Sequence, residues 1–303
     1  MKVSVLSFAV LLIAGPLVAV PDDLDDAFQS LKDAESKKDA GQVKKKAAET
    51  RALARQVTAA SVPEGVDKEA WAKRAAYARD IELYTEYALY ATATQAPAAT
   101  AVDLLSTLEQ ENPKSKYLDE AYPRYFGALN QTGQAAKIPA IAEKAIAHFP
   151  ENEDLLLVLA DTALNRKQND RALGHAQRLV AALGRHSKPE GMPAADWERK
   201  KNVALGRGHW IAGFVHSERK EYFQADTDLR AALPLMKGDE ATLAAVLFHL
   251  GLVNYQIGRL TLNRARVVEA ARFSDQAAAI NGPLAQQAWR NGGVMRAEAA
   301  KMR

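Results

Sequence analysis

The chain has 303 residues, 48% hydrophobic and 25% charged, with a formal net charge of +3 and no cysteine. That excludes disulfides, thiolate metal sites, thiol catalysis and a lipid-bearing cysteine behind a leader, and the scattered basic residues leave no nucleic-acid footprint. Abundant alanine and few aromatics suit a helical chain, long enough for one or two domains.

Met1 to Val20 stands apart. Lys2 precedes an apolar run from Val3 to Ala14, Gly15-Pro16 breaks it, and Leu17-Val18-Ala19 supplies a small residue. That order predicts a secretory signal over 1–19, cleaved after Ala19. The alternative is an uncleaved anchor through residues 3–20, a run just long enough to approach a membrane span.

Asp22 to Ala59 reads as two helices, the first striped by Phe28, Leu31 and Ala34, with Asp39-Ala40-Gly41 as the break. Val43, Ala47, Leu53 and Val57 stripe the second, and Lys44-Lys45-Lys46 reads as its solvated face. A phrase then occurs that is written twice. Ser61-Val62-Pro63-Glu64-Gly65, with Trp71, Lys73 and Arg74, returns as Ser187-Lys188-Pro189-Glu190-Gly191, with Trp197, Arg199 and Lys200. The offset is 126 at both ends (187 − 61 and 197 − 71). Pro-x-Gly is turn chemistry, so each phrase predicts a turn that feeds a long helix.

Between and after the phrases one spacing recurs. Tyr84-x₂-Tyr87-Ala88-x₂-Ala91 leads past Ala96-Pro97 to Ala101, Leu105 and Leu108, ended by Asn112-Pro113. Leu156-x₂-Leu159-Ala160-x₂-Ala163 leads past Gln168-Asn169-Asp170 to Ala172, Ala176 and Leu179. His209-x₂-Ala212-Gly213-x₂-His216 leads past Glu221-Tyr222 to Ala225 and Leu229, and Leu247-x₂-Leu250-Gly251 precedes Tyr255 and Gly258. Pro123 makes a poor opening helix, and Leu260 to Val268 reads as extra residues before Glu269-Ala270. Pro283 to Met302 makes a final helix.

These units resemble tetratricopeptide repeats, with their W-x₂-L-G-x₂-Y, A-x₃-F and P signature in helix–turn–helix units of about 34 residues. The resemblance implies an all-α, right-handed α-solenoid of about six helix pairs with a C-terminal capping helix. The pairs fall at about 24–60, 66–112, 116–150, 153–184, 193–237 and 240–281, an internal duplication with halves at about 22–150 and 151–303. Small residues at Ala88, Ala101, Ala160, Ala172, Gly213, Ala225 and Gly251 would let paired backbones approach closely. Glu111-Asn112-Pro113-Lys114-Ser115-Lys116-Tyr117, with Ala147-His148-Phe149-Pro150 closing that unit, is similar to repeats of the outer-membrane assembly lipoprotein family and of periplasmic coordinators of cell division.

Residues able to carry chemistry are few. His209 and His216 are seven apart rather than four, so they do not make a two-ligand helix turn, and Gly206-Arg207-Gly208 follows no strand. No catalytic group, metal site or cofactor is implied. In the resembled family the concave face is built by first helices. Carried over, that face includes Thr85 and Leu89, then Leu157 and Asp161, and concentrates aromatics at Trp210, Phe214, Phe248 and Tyr255, with Leu252 among them and Arg207 at the edge. Such a set suits a groove for a protein or peptide; aromatics at helical spacing are also, and more often, core or a surface taken by the terminal helix. The expectation is a non-enzymatic exported scaffold in a bacterial envelope, with no membrane insertion after cleavage. A peptidoglycan hydrolase carried on a solenoid and a membrane-tethered scaffold are the alternatives. The leader gives a first test: the exported protein should begin at Val20, and an intact mass that still includes Met1 to Ala19 would select the tethered form.

Overall fold

Among the residues described by the computed structural model, 23–302 other than Glu190 and Lys237, there are thirteen α-helices, two short 3₁₀ segments and no strand. The expected leader lies outside the described residues. The chain divides into two compact units, one up to Ile141 and one from Ala142. The first holds α1 (Asp23–Ser36), α2 (Ala40–Ala59), α3 (Lys68–Gln95), α4 (Ala98–Glu111) and α5 (Lys116–Gln131), and α6 (Ile138–Ala145) runs across the division. The second holds α7 (Glu153–Asn165), α8 (Asn169–Arg185), α9 (Ala194–Glu218), α10 (Tyr222–Ala232), α11 (Glu240–Leu260), α12 (Arg264–Ala278) and α13 (Ala285–Lys301). Successive helices pack on one another, so the architecture is all-α and built from helix pairs, with α13 closing on α12.

One turn recurs within the pairs. Residues 37–39, 166–168, 219–221 and 261–263 each join two helices, and the middle residue is left-handed: Lys38 at φ 54°, Lys167 at 58°, Lys220 at 62° and Leu262 at 51°. The third residue of each turn donates its N–H back across the helix end, from Asp39 to Ala34 O (3.1 Å), Gln168 to Ala163 O (2.8 Å), Glu221 to His216 O (2.9 Å) and Asn263 to Gly258 O (2.8 Å). Carbonyls that the helix end orphans are satisfied in this way, and the chain reverses within three residues. The break therefore falls at Lys37-Lys38-Asp39, not at Asp39-Ala40-Gly41: Asp39 caps α2 by accepting from Gln42 N–H, and Ala40 and Gly41 are helical. A carboxylate at that position also complements the helix dipole.

So short a turn forces the paired helices close together, and small residues make room. Ala88, Ala101, Ala160, Ala172 and Ala225 are fully buried. A Cβ on Gly213 would lie 2.7 Å from Leu229 Cγ of α10, and one on Gly251 would collide with Ser274 Oγ and lie 3.2 Å from Ala270 O of α12. Leu260 to Val268, read as extra residues, are no added loop. Gly251 stands nine residues before the end of α11 where Gly213 stands five before the end of α9, and Ala270 stands six after the start of α12 where Ala225 stands three after the start of α10. Both helices run about a turn further between the close contact and the connecting turn, and that three-residue turn is kept. α11 is long and apolar enough by composition to cross a membrane, but here Val246, Leu250, Val253 and Ile257 are buried against neighbouring helices.

Pro123 lies inside α5, whose Leu118, Tyr122, Tyr125 and Leu129 are buried all the same. Polar groups also bind helices together. In the first unit the buried Arg51 of α2 donates from Nε to Thr85 Oγ1 of α3 (3.0 Å) and pairs with Glu111 of α4. Burial holds the Arg51 pKa below its usual value, with the nearby Glu86 opposing that shift. In the second unit Asn254 of α11 donates to Asp226 Oδ1 of α10 (2.7 Å), while Arg266 of α12 reaches Asp226 (3.0 Å) and Asn254 (2.7 Å).

Gly251→Leu tests the close approach. It should overpack the α11–α12 contact and lower stability by about 1–3 kcal/mol or more, read from thermal melts of variant and parent. Coincident melts would place Gly251 outside the contact.

Candidate functional site

The second unit's first helices, α7, α9 and α11, carry the residues expected to form a groove. The glycines of α9 seat it among its neighbours. A Cβ on Gly208 would lie 3.1 Å from Val180 Cγ2 and 3.3 Å from Leu179 Cδ2 of α8, and one on Gly206 would lie 3.0 Å from Leu235 Cβ. Gly206-Arg207-Gly208 is thus a packing device, which leaves the intervening Arg207 side chain half-buried on the surface.

Arg207 is held rigidly. Its Nε donates to Asp161 Oδ1 of α7 at 2.8 Å, and its guanidinium stands 4.4 Å from the Trp210 ring centre. Trp210 and Phe214 stack one turn apart on α9, with ring centres 5.8 Å apart and planes at 23°. Phe214 meets His249 of α11 edge-on at 5.1 Å, and His249 meets Phe248 at 5.6 Å. A continuous row, Arg207–Trp210–Phe214–His249, therefore crosses from α9 to α11. Trp210 Nε1 and His249 Nδ1 are buried without a hydrogen-bond partner, each a cost of about 1–3 kcal/mol.

The six expected residues are not equivalent. Arg207, Trp210 and Phe214 are half-buried and contiguous. Phe248 is only 6% exposed and packs with Ala277 and Ala288, so the expectation that it lines an open groove is corrected: the close α11–α12 contact and α13 turn it into core. Leu252 packs against the same α12–α13 cluster, and Tyr255 donates its hydroxyl to Glu298 Oε2 of α13 at 2.5 Å. Thr85 and Leu89, carried over to the same face in the first unit, are also fully buried. The buried Thr85 hydroxyl accepts from Arg51 Nε at 3.0 Å.

Two groupings were not read from the sequence, although most of their residues were singled out there. His209 and His216, two turns apart on α9, both face Asp228 of α10, at 3.0 and 3.7 Å, and His216 Nδ1 meets Glu221 Oε2 at 2.5 Å. Their spacing of seven returns them to one helix face, which was the available signal. Among the described residues no group of three or more such side chains could hold a metal ion. In the first unit Phe28, Tyr84, Tyr87, Tyr117 and Tyr90 form a second aromatic row, neighbouring rings standing 5.0–5.8 Å apart. Tyr90 donates to Glu120 (3.2 Å), and burial, with Glu120 adding, pushes its hydroxyl up to about 12.

No family model matches the sequence, and no curated protein or solved structure matches it. The chemistry must be read from the chain's own residues.

His249 makes the row acid-sensitive. Burial between rings pushes its pKa down to about 4 from 6.5, so the folded form keeps it neutral. Above pH 6.5 neither state is protonated and this stability is fully present. As pH falls toward 4 the unfolded chain takes up a proton that the folded one refuses, and stability drops by on the order of 3 kcal/mol. Urea melts from pH 7 to 4 should show this slope, and His249→Phe should flatten it. An unchanged slope in the variant would place the acid sensitivity elsewhere.

Proposed function

We propose that the protein is a non-enzymatic, tetratricopeptide-like scaffold that binds a protein or peptide segment through Arg207, Trp210 and Phe214. The observation that carries this reading is the held row itself. Asp161 fixes the guanidinium, the guanidinium stacks on Trp210, and Trp210 stacks on Phe214, all three half-buried. Rigid aromatic and arginine anchors lose little entropy on binding and dominate interface energetics.

The family assignment is supported by the recurrent spacing and by small residues placed where helices touch, as at Gly213 and Gly251. Export to an envelope compartment is supported by the charged, apolar and small-residue order over 1–19. No cofactor enters this reading.

A photo-crosslinking residue at Ser217, further along α9, should capture a partner, and one at Thr227 on the exposed side of α10 should not. Arg207→Glu should reduce capture about tenfold or more while the helical melt stays close to the parent's. Equal capture from both positions, or capture indifferent to Arg207→Glu, would sink the assignment.

A further inference from the structure

α13 repeats α11 in register. Its buried stripe is Ala288, Gly292, Met295 and Ala299, and each stands 42 residues after a buried residue of α11: Val246, Leu250, Val253 and Ile257 (288 − 246). Each stripe packs on the preceding second helix, α11 with Ala225, Leu229 and Ala232 of α10, and α13 with Val267, Ala270 and Ala271 of α12. The same offset carries the adjacent stripe across. Leu247, Gly251, Asn254 and Gly258 are buried in α11, where α12 lies against Gly251 and Gly258. Their counterparts Trp289, Gly293, Arg296 and Ala300 are all exposed, Trp289 at 66%. A Cβ on Gly293 would meet nothing within 4 Å. α13 thus closes the face of α12 while its own second face lies open. An outer face that shows a tryptophan is what a terminal helix ordinarily avoids.

The correspondences are not identities, and the differences set the charge of what fits. α12 is seated through mixed charges, Arg266 meeting Asp226 of α10 and Glu269 meeting Arg230. One pair further on, the open groove between α12 and α13 has a volume of about 290 Å³ and an apolar floor of Val268, Ala271 and Ala300. Three arginines stand on its rim, Arg264, Arg272 and Arg296. Asp275 neutralises Arg296 at 2.5 Å. Arg264 donates its Nε to Ala299 O (3.0 Å), and among the described residues neither it nor Arg272 meets a carboxylate. Arg290, where α11 has Phe248, and Lys301 add two exposed cations along α13.

We propose that this groove docks an amphipathic helix of a partner protein, antiparallel to α13, with small residues along its contact stripe and carboxylates on its flanks. The small stripe is needed because Gly293 and Ala300 let backbones approach, as Gly251 and Gly258 do against Ala270 and Val267. The carboxylates answer Arg264 and Arg272. A second copy fits worse, because an antiparallel α13 pair crossing between Gly293 and Ala297 would bring Arg290 of one copy to Lys301 of the other. A lipid surface asks for bulk along the apolar face, and here that face is mostly glycine and alanine. The inference stands apart from the Arg207–Trp210–Phe214 row, and Arg207→Glu should leave this docking untouched.

The probe is a blocked, stapled helical peptide of about 20 residues, with alanine along one stripe and glutamate on its flanks, and its lysine counterpart is the comparator. Each is titrated into the protein while the indole N–H resonance of Trp289 is followed by NMR. The glutamate peptide should shift that resonance with a Kd of about 0.1 mM, and the lysine peptide should bind about tenfold more weakly or worse. Arg272→Glu should reverse the preference. Gly293→Leu should abolish binding by holding the helices apart, yet leave the melt unchanged or higher, because the new side chain meets open space. Gly251→Leu, at the covered counterpart, should do the opposite to the melt. A resonance unmoved at millimolar peptide, equal binding of the two peptides, or undiminished binding to Gly293→Leu would each overturn the proposal. So would a Trp289 shift that follows protein concentration alone, which marks a second copy, or one produced by anionic lipid vesicles and not by the peptide, which marks a membrane surface.

Discussion

Four helix pairs close through the same three-residue turn, and the left-handed residue at its centre sets the terms for the packing above it. A reversal that short leaves no room for bulk between the helices, so residues such as Gly213, Ala225, Gly251 and Ala270 occupy the contact. Larger side chains are displaced to the neighbouring pair, where Leu156, Leu179 and Leu250 fill the interval. The extension of α11 and α12 between their close contact and their turn obeys the same constraint. Gly258, two turns beyond Gly251, supplies a second close approach, where a Cβ would lie 2.6 Å from Val267 Cγ2.

Polar groups are used where helices of different pairs meet. Arg51 holds α2, α3 and α4, and the Asp226–Asn254–Arg266 cluster holds α10, α11 and α12. Buried groups of this kind add little net stability over an apolar isostere, but each tolerates only the register that pairs it. They act as locks on a chain whose alanine-rich helices would otherwise slide at small energetic cost. The phrase helices carry a lighter version, with Arg74 and Lys200 bound to the acidic first turns of α1 and α7. Those carboxylates therefore answer both to the helix dipole and to a partner two helices away.

Against this common frame the two units diverge in their aromatic content. Trp210 lies 126 residues after Tyr84, and each belongs to a row of rings along first helices. In the first unit carboxylates cap the row, with Tyr84 donating to Glu35 and Tyr90 to Glu120. In the second an arginine heads it. Similar backbones thus present surfaces of different chemistry, which is how repeat scaffolds acquire distinct partners.

The helix pairs, their order and the final helix were legible in the sequence, because small residues and apolar stripes recur at helical spacing and are local properties of the chain. Gly251 and Gly213 could be assigned to contacts for the same reason. The turns were misplaced at Asp39-Ala40-Gly41 because the left-handed positions hold Lys38, Lys167, Lys220 and Leu262 in place of glycine, so no residue type marks them. Exposure of the aromatics was decided only by tertiary structure. Phe248 and Trp210 read alike in sequence, yet α12 and α13 enclose the first while the second stays half-open beside Arg207. Whether a helix face is core or surface depends on what packs against it, and the chain that does so lies tens of residues away.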